Sequence, residues 1–208
     1  MRHFLATSTV LMSLSTAAFA AGEWTPPSTA LDKVPSGIYT LDKSHASVTF
    51  TVKHLGFSNY TARFDGVDAK LDFNAKDVTK SKLEVTIDTG SASVNNPKME
   101  EKWDGPAFFN IAQFPTATFK ATKIEKTSDT EGTITGDFTM LGVTKPVTLR
   151  TTFNGAGFNP YAAANVLGFS AIGKLNRSDF GLKEYLPAVG DEVKFYVEVE
   201  FNQPAEKK

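Results

Sequence analysis

From Ile38 onward the dominant period of apolar and polar residues is two. Val48, Phe50, Val52 and His54 alternate with Thr49, Thr51 and Lys53, and Leu83, Val85 and Ile87 with Glu84, Thr86 and Asp88. Val147, Leu149, Thr151 and Phe153 repeat the pattern, as do Val193, Phe195, Val197, Val199 and Phe201. Strict alternation of β-branched and aromatic residues predicts antiparallel strands with one dry and one wet face. Nine segments qualify: 37–43, 46–54, 59–73 with a bend near Gly66, 81–89, 116–125, 131–140, 146–155, 166–176 and 192–202. Two stretches, 96–111 and 178–187, read as helical or irregular, each limited by a proline, Pro106 and Pro187.

Many strands and few helices in one domain predict an all-β fold, a sandwich or a closed antiparallel barrel. Parity assigns the inner faces. Strand 116–125 sends Ala117, Phe119 and Ala121 inward, and strand 131–140 sends Ile134, Gly136, Phe138 and Met140. Strand 166–176 offers Leu167, Phe169, Ala171, Gly173 and Leu175. An eight-stranded barrel is at the size where the lumen either fills with side chains or holds one small ligand. Small inward residues tilt the reading toward a cavity, but a tapered, filled barrel also uses them. Periodicity leaves both open.

The first twenty residues read as an address, not as fold. Arg2 and His3 precede an uncharged stretch from Phe4 to Ala17, and Ala18-Phe19-Ala20 supplies a small-x-small cleavage pattern. The stretch is short for a membrane anchor. Cleavage after Ala20 and a periplasmic location are expected. Residues 21–36, with Pro26, Pro27 and Pro35, read as a loose arm ahead of a single domain over 37–203.

Charge and composition narrow the function. Twenty-two Lys and Arg stand against 23 Asp and Glu in 208 residues, and losing Arg2 with the leader takes the net charge from -1 to -2. That balance argues against nucleic acid as a partner. With no cysteine, thiolate metal sites, iron–sulfur clusters and a cysteine nucleophile are excluded.

Candidate chemistry is sparse. Asp42, His45 and His54 are residue types that ligate metals, without a helical i, i+4 pairing to support it. Asp42, Ser44 and His45 are the residue types of a serine hydrolase, but no Gly-x-Ser-x-Gly elbow occurs. Gly155-Ala156-Gly157 does not lead from a strand into a helix, which removes a dinucleotide loop. Glu100, Glu101, Lys102 and Asp104 read as a solvated helix face. No catalytic set, metal or cofactor is expected, and an apolar lumen points to binding.

Several segments, in order, resemble the YceI-like proteins. They are Tyr39-Thr-Leu-Asp42-x-Ser44-His45-x-Ser47-Val48-x-Phe50-x-Val52-x-His54, then Ile87-Asp88-Thr89 with Ser91 and Ser93, then Phe108-Phe109-Asn110 with Phe114-Pro115-Thr116-Ala117-Thr118-Phe119. Gly136 to Val147, Asn176 to Gly181 and Val189 to Val193 complete the set. The resemblance implies an extended, lipocalin-like barrel of about eight strands with one or two short helices. Its lumen would hold a polyisoprenoid, a quinone tail or a similar long-chain lipid. Where the family often has Arg-Asp-x-His-Leu, this chain reads Asn95 to Trp103, a departure expected near the barrel mouth.

On this reading the lumen residues are Phe50, Val52, His54, Phe119, Gly136, Phe138, Leu167, Phe169, Ala171 and Phe195. Arg177 is either a head-group contact or a loop clamp paired with Asp179. The leading function is a periplasmic lipid carrier. A lipid-modifying enzyme using His45, His54 or Arg177, and a filled-barrel accessory of a membrane redox protein, are the alternatives. Exposed edges near the short first strand could support a homodimer.

Overall fold

The computed structural model describes residues 25–204; the proposed leader and its cleavage site lie outside them. The alternating segments become staves of one closed antiparallel barrel, and three staves are broken in two. β1 (Gly37–Leu41) and β2 (Ser47–His54) are halves of the first, separated by a 3-10 turn at Lys43–His45. β3 (Ser58–Phe64) and β4 (Val67–Phe73) form the second, broken at Asp65-Gly66 where the bend was expected. β5 (Lys82–Asp88) and the two-residue β6 (Ala92–Ser93) form the third. After α1 (Pro97–Asp104) come β7 (Thr116–Lys126), β8 (Glu131–Met140), β9 (Val143–Asn159), β10 (Ala164–Asn176) and β11 (Val189–Pro204).

The ring runs β1–β4–β5–β7–β8–β9–β10–β11 and closes through Leu41↔Phe201, while β11 also pairs β2 at Phe50↔Phe195. Gly66 permits the second break. A Cβ there would lie 2.8 Å from the Asp88 Cβ and 3.0 Å from Ser91.

Closure corrects one expectation. β1 pairs β4 on one side and β11 on the other, so the short first strand offers no edge for a dimer. The stretch 178–187, expected to be helical or irregular, begins in a 3-10 turn at Arg177–Phe180 and continues as loop. The described part of the arm is not loose either. Ser28 exchanges two backbone hydrogen bonds with Ala156, and Val34 is buried against Tyr39 and Phe73. Burial of this apolar side chain, rather than any periodicity, holds the arm across one end of the barrel.

Two apolar clusters divide the interior. At the arm end, Tyr39, Leu71, Phe73, Phe153, Ala156, Leu167 and Phe201 pack together. The Tyr39 hydroxyl donates to the Pro35 carbonyl at 2.8 Å, and burial pushes its pKa up to about 12. At the opposite end, where β2 turns into β3, the cluster centres on Trp103, Phe109, Phe119, Phe180 and Leu182. There β6 pairs only the last two residues of β3, and α1 with its following loop packs beside the rest of that strand. Asn96 caps the helix by accepting from the Met99 amide, and Glu100 reaches back to the amides of Val94 and Asn96. Trp103 then packs against Phe50, Tyr60 and Phe109 at ring separations of 6.1 to 6.3 Å.

Candidate functional site

The inward residues of β2, β5 and β11 are only half-buried, although the barrel wall surrounds them. They border a cavity of about 670 Å³ that runs through the barrel. Its wall is hydrocarbon. Phe50, Val52, Phe119, Phe138, Phe169, Ala171 and Phe195 all line it, as parity predicts.

Two of the ten residues assigned to the lumen do not line it. Leu167 is fully buried in the packed cluster around Tyr39, below the open part of the lumen. Gly136 is the other. A Cβ there would lie 2.5 Å from the Phe119 ring and 2.6 Å from the Lys120 carbonyl, so the glycine makes room for that ring. Gly173 does the same for the Phe195 ring. The small inward residues therefore divide. The two glycines let Phe rings lie flat against the wall, whereas Ala171 borders open space.

The cavity's two ends differ. Toward the arm it reaches the β7–β8 hairpin, with Glu125, Lys126, Ser128, Asp129 and Glu131. This end is polar. Toward the β2–β3 turn its lining includes His54, Leu55, Met99, Lys102, Leu182, Tyr185 and Ala188. Lys102 Nζ donates to Tyr185 Oη and stands 4.6 Å from the centre of that ring and 6.0 Å from that of Phe108. His54 lies at this end with its ring 5.8 Å from Tyr60. Between the ends the wall carries Thr151, whose hydroxyl has no hydrogen-bond partner among the described residues.

Periodicity and charge assign α1 no lumen role, because Glu100 to Asp104 reads as a charged face; only the resemblance places Asn95 to Trp103 near the barrel mouth, where Met99, Lys102 and Trp103 line the cavity. The available signal was Met99, Lys102 and Trp103 at helical spacing i, i+3 and i+4.

Arg177 borders the cavity but serves as a clamp. Its Nε donates to the Gly190 carbonyl at 2.8 Å, Nη1 to Leu182 at 3.0 Å and Nη2 to Val189 at 2.9 Å. The carbonyls of Leu182 in the loop after β10 and of Val189 and Gly190 at the start of β11 thus converge on one buried guanidinium, whose pKa burial lowers while Asp191 and Glu184 raise it. It does not pair with Asp179; Ser178 instead donates to Asp191 through its amide and hydroxyl. Three of its five N–H donors are committed to these carbonyls, which is the loop clamp of the two expected roles.

Asp42, Ser44 and His45 meet at the break between β1 and β2. The Asp42 carboxylate accepts from the Ser44 hydroxyl at 2.5 Å, from the Ser44 amide at 3.0 Å and from Asn202 Nδ2 at 3.0 Å. His45 Nδ1 is 2.9 Å from Asp42 and 3.2 Å from the Ser44 hydroxyl. A hydrolytic relay needs serine and carboxylate on opposite imidazole nitrogens; here both crowd Nδ1. The Ser44 and His45 bonds hold the Asp42 pKa far below the usual carboxylate range, and the Asp42 bond, with Glu200, raises that of His45. The cluster caps the turn and ties it to β11. Glu200 joins Asp42 and His45 with ligand atoms within 4.8 Å, a set that could hold a cation. His54 does not join them. It ends β2, and seven residue steps along a strand span roughly 23 Å.

A family model for the YceI-like domain matches residues 39–201. The protein YceI of Salmonella arizonae is 37% identical over 164 residues, covering 78% of this chain and 85% of its own. Among solved structures, the Campylobacter jejuni YCEI protein superposes with a TM-score of 0.65 at 32% identity, over 80% of this chain and 98% of its own. Burkholderia cenocepacia BcnA gives 0.70 at 20% identity, covering 77% and 98%. A polyisoprenoid binding domain from Saccharophagus degradans gives 0.60 at 13%, covering 80% and 98%.

Proposed function

The chain belongs to the YceI-like family, and on that premise we propose that it binds and carries one long apolar chain, a polyisoprenoid, a quinone tail or a comparable lipid, in its lumen. The observation that carries the reading is the half-buried inner face: apolar residues on several staves border open space inside a closed wall. A cavity of about 670 Å³ takes about 20 methylene-sized groups at roughly 30 Å³ each, the liquid share of one water. Burying each methylene is worth about 0.8 kcal/mol before the entropy of immobilising the chain is deducted.

Binding rather than catalysis is supported by where the polar groups lie. Apart from Thr151 they gather at the two ends, so most of a bound chain faces hydrocarbon. Lys102 and Tyr185 offer donors to a head group at the β2–β3 end. Export to the periplasm belongs to the same proposal, supported by Arg2, His3 and the Ala18-Phe19-Ala20 pattern.

The test is titration of lipid-free protein with a fluorescent long-chain probe, displaced by polyprenols of rising length. Saturable one-to-one binding should tighten with length until the lumen is full, near 20 carbons. Absence of saturable binding at every length contradicts the proposal.

A further inference from the structure

The two loops that frame the β2–β3 end of the cavity expose apolar side chains that a water-facing rim does not need. Phe57 is 89% exposed, Leu55 52% and Tyr185 49%. Pro187 and Ala188 are exposed beside them. The Leu55 amide donates to the Ala188 carbonyl at 2.8 Å, so the turn of residues 54–58 and the loop of 185–188 form one joined rim. Leu55, Tyr185 and Ala188 also line the cavity, which makes the outer patch continuous with the lumen's hydrocarbon wall. Exposed Lys53, Lys102 and Lys183 stand beside this patch, accompanied by half-buried Glu184 next to Lys183, by Glu101 and Asp104 on α1, and by Glu192 near Lys53.

The geometry points to this rim as a docking surface for a lipid bilayer that contains anionic head groups. Phe57 and Leu55 enter the interface and bring the cavity mouth against the acyl chains. Aromatic and aliphatic tips flanked by lysines are the chemistry that seats a protein at an interface, the apolar groups entering and the lysines meeting lipid phosphates. Continuity with the lumen selects a bilayer over a protein partner. A long apolar chain leaving a membrane would otherwise cross water, whereas here it passes along Leu55 and Tyr185 directly into the cavity. The opposite end lacks this chemistry, since its cavity rim is the polar 125–131 hairpin. Phe158 and Tyr161 are exposed at the arm end, yet neither lines the cavity, so they serve as the internal comparison.

The inference rests on the lumen being a lipid site, but vesicle binding is read without any cargo. Lipid-free protein is sedimented with vesicles of phosphatidylethanolamine and phosphatidylglycerol, and a second assay follows transfer of a fluorescent long-chain lipid between donor and acceptor vesicles. The variant Phe57→Ser, at a rim residue outside the cavity lining, should lose at least tenfold in partitioning and slow transfer, while binding detergent-dispersed probe within about twofold of the parent. The variant Phe158→Ser, Tyr161→Ser should partition as the parent does. Equal partitioning of the tip variant and the parent overturns the proposal, as does equal loss in the comparison variant. Dimers seen by light scattering that vanish in the tip variant, with no vesicle binding, assign the patch to a second copy and overturn it too. If the parent docks through the tip but takes up no lipid, the carrier reading fails and docking stands; uptake without docking gives the reverse.

Discussion

Replacing Ala171 by Phe distinguishes open lumen from packed core at a single position. Ala171 sits in the middle of β10, paired with Val197 on one side and Thr151 on the other, and its methyl group borders the cavity. The substitution adds six ring carbons to a space that takes about 20 methylene-sized groups, at roughly 30 Å³ each. If the new ring displaces about three methylenes of a bound chain, the loss is about 2.4 kcal/mol at 0.8 kcal/mol each, or roughly 50-fold in affinity. The ladder hydrogen bonds involve backbone only, so stability should stay within about 1 kcal/mol of the parent, in contrast to the 1–3 kcal/mol that overfilling a packed core costs. Gly136→Ala is the companion variant. Its single methyl meets the Phe119 ring and the Lys120 carbonyl, and it should destabilise the barrel more than the whole ring at 171 does. Probe titration and thermal unfolding of both variants provide the readout. An Ala171→Phe protein that binds within threefold of the parent, or loses several kcal/mol while Gly136→Ala loses none, refutes the reasoning.

Arg177→Met keeps the volume of the side chain and leaves the carbonyls of Leu182, Val189 and Gly190 unpaired, so urea unfolding should show a loss of about 2–5 kcal/mol. A loss under 0.5 kcal/mol with weaker binding of acidic lipids alone would restore the head-group role. The Asp42–His45 cluster sets a pH window. The lowered Asp42 pKa contributes stability that is complete above the unfolded value near pH 3.9 and fades as pH falls below it. The raised His45 pKa contributes stability that is complete below the unfolded value near 6.5 and is lost as pH rises through the higher folded one. Thermal unfolding from pH 3 to 9 should therefore peak between about 4 and 6.5, and His45→Gln should flatten the alkaline side; a parent that gains stability from pH 6.5 to 8 relative to that variant contradicts the assignment.

The barrel was legible because its strands obey one rule over long stretches. Val193 to Phe201 cannot place its apolar set anywhere but inward, and the same parity correctly put Phe50, Phe119, Phe169 and Phe195 on the lumen. What parity cannot show is where a side chain lies after leaving the wall. Gly136 reads as open space in sequence, yet the Phe119 ring from the neighbouring strand lies against it, a contact fixed by the register Ala121↔Gly136 and Phe119↔Phe138. Arg177 was ambiguous for the same reason, since its partners are backbone carbonyls that no residue identity reveals. Periodicity missed the packing of the arm around Val34 and of the Met99–Trp103 face of α1, which the resemblance alone set near the mouth, because each is short, flanked by prolines or charges, and buried by tertiary contact.

The central claim is that the lumen holds an apolar chain, and the most direct measurement is the mass of the protein released gently from its own cells, before and after solvent extraction. The account predicts one lipid per protein, with an apolar portion near 20 carbons, recovered chemically unchanged in the extract. A bare mass, together with no saturable uptake when polyprenols of that length are offered, would contradict it.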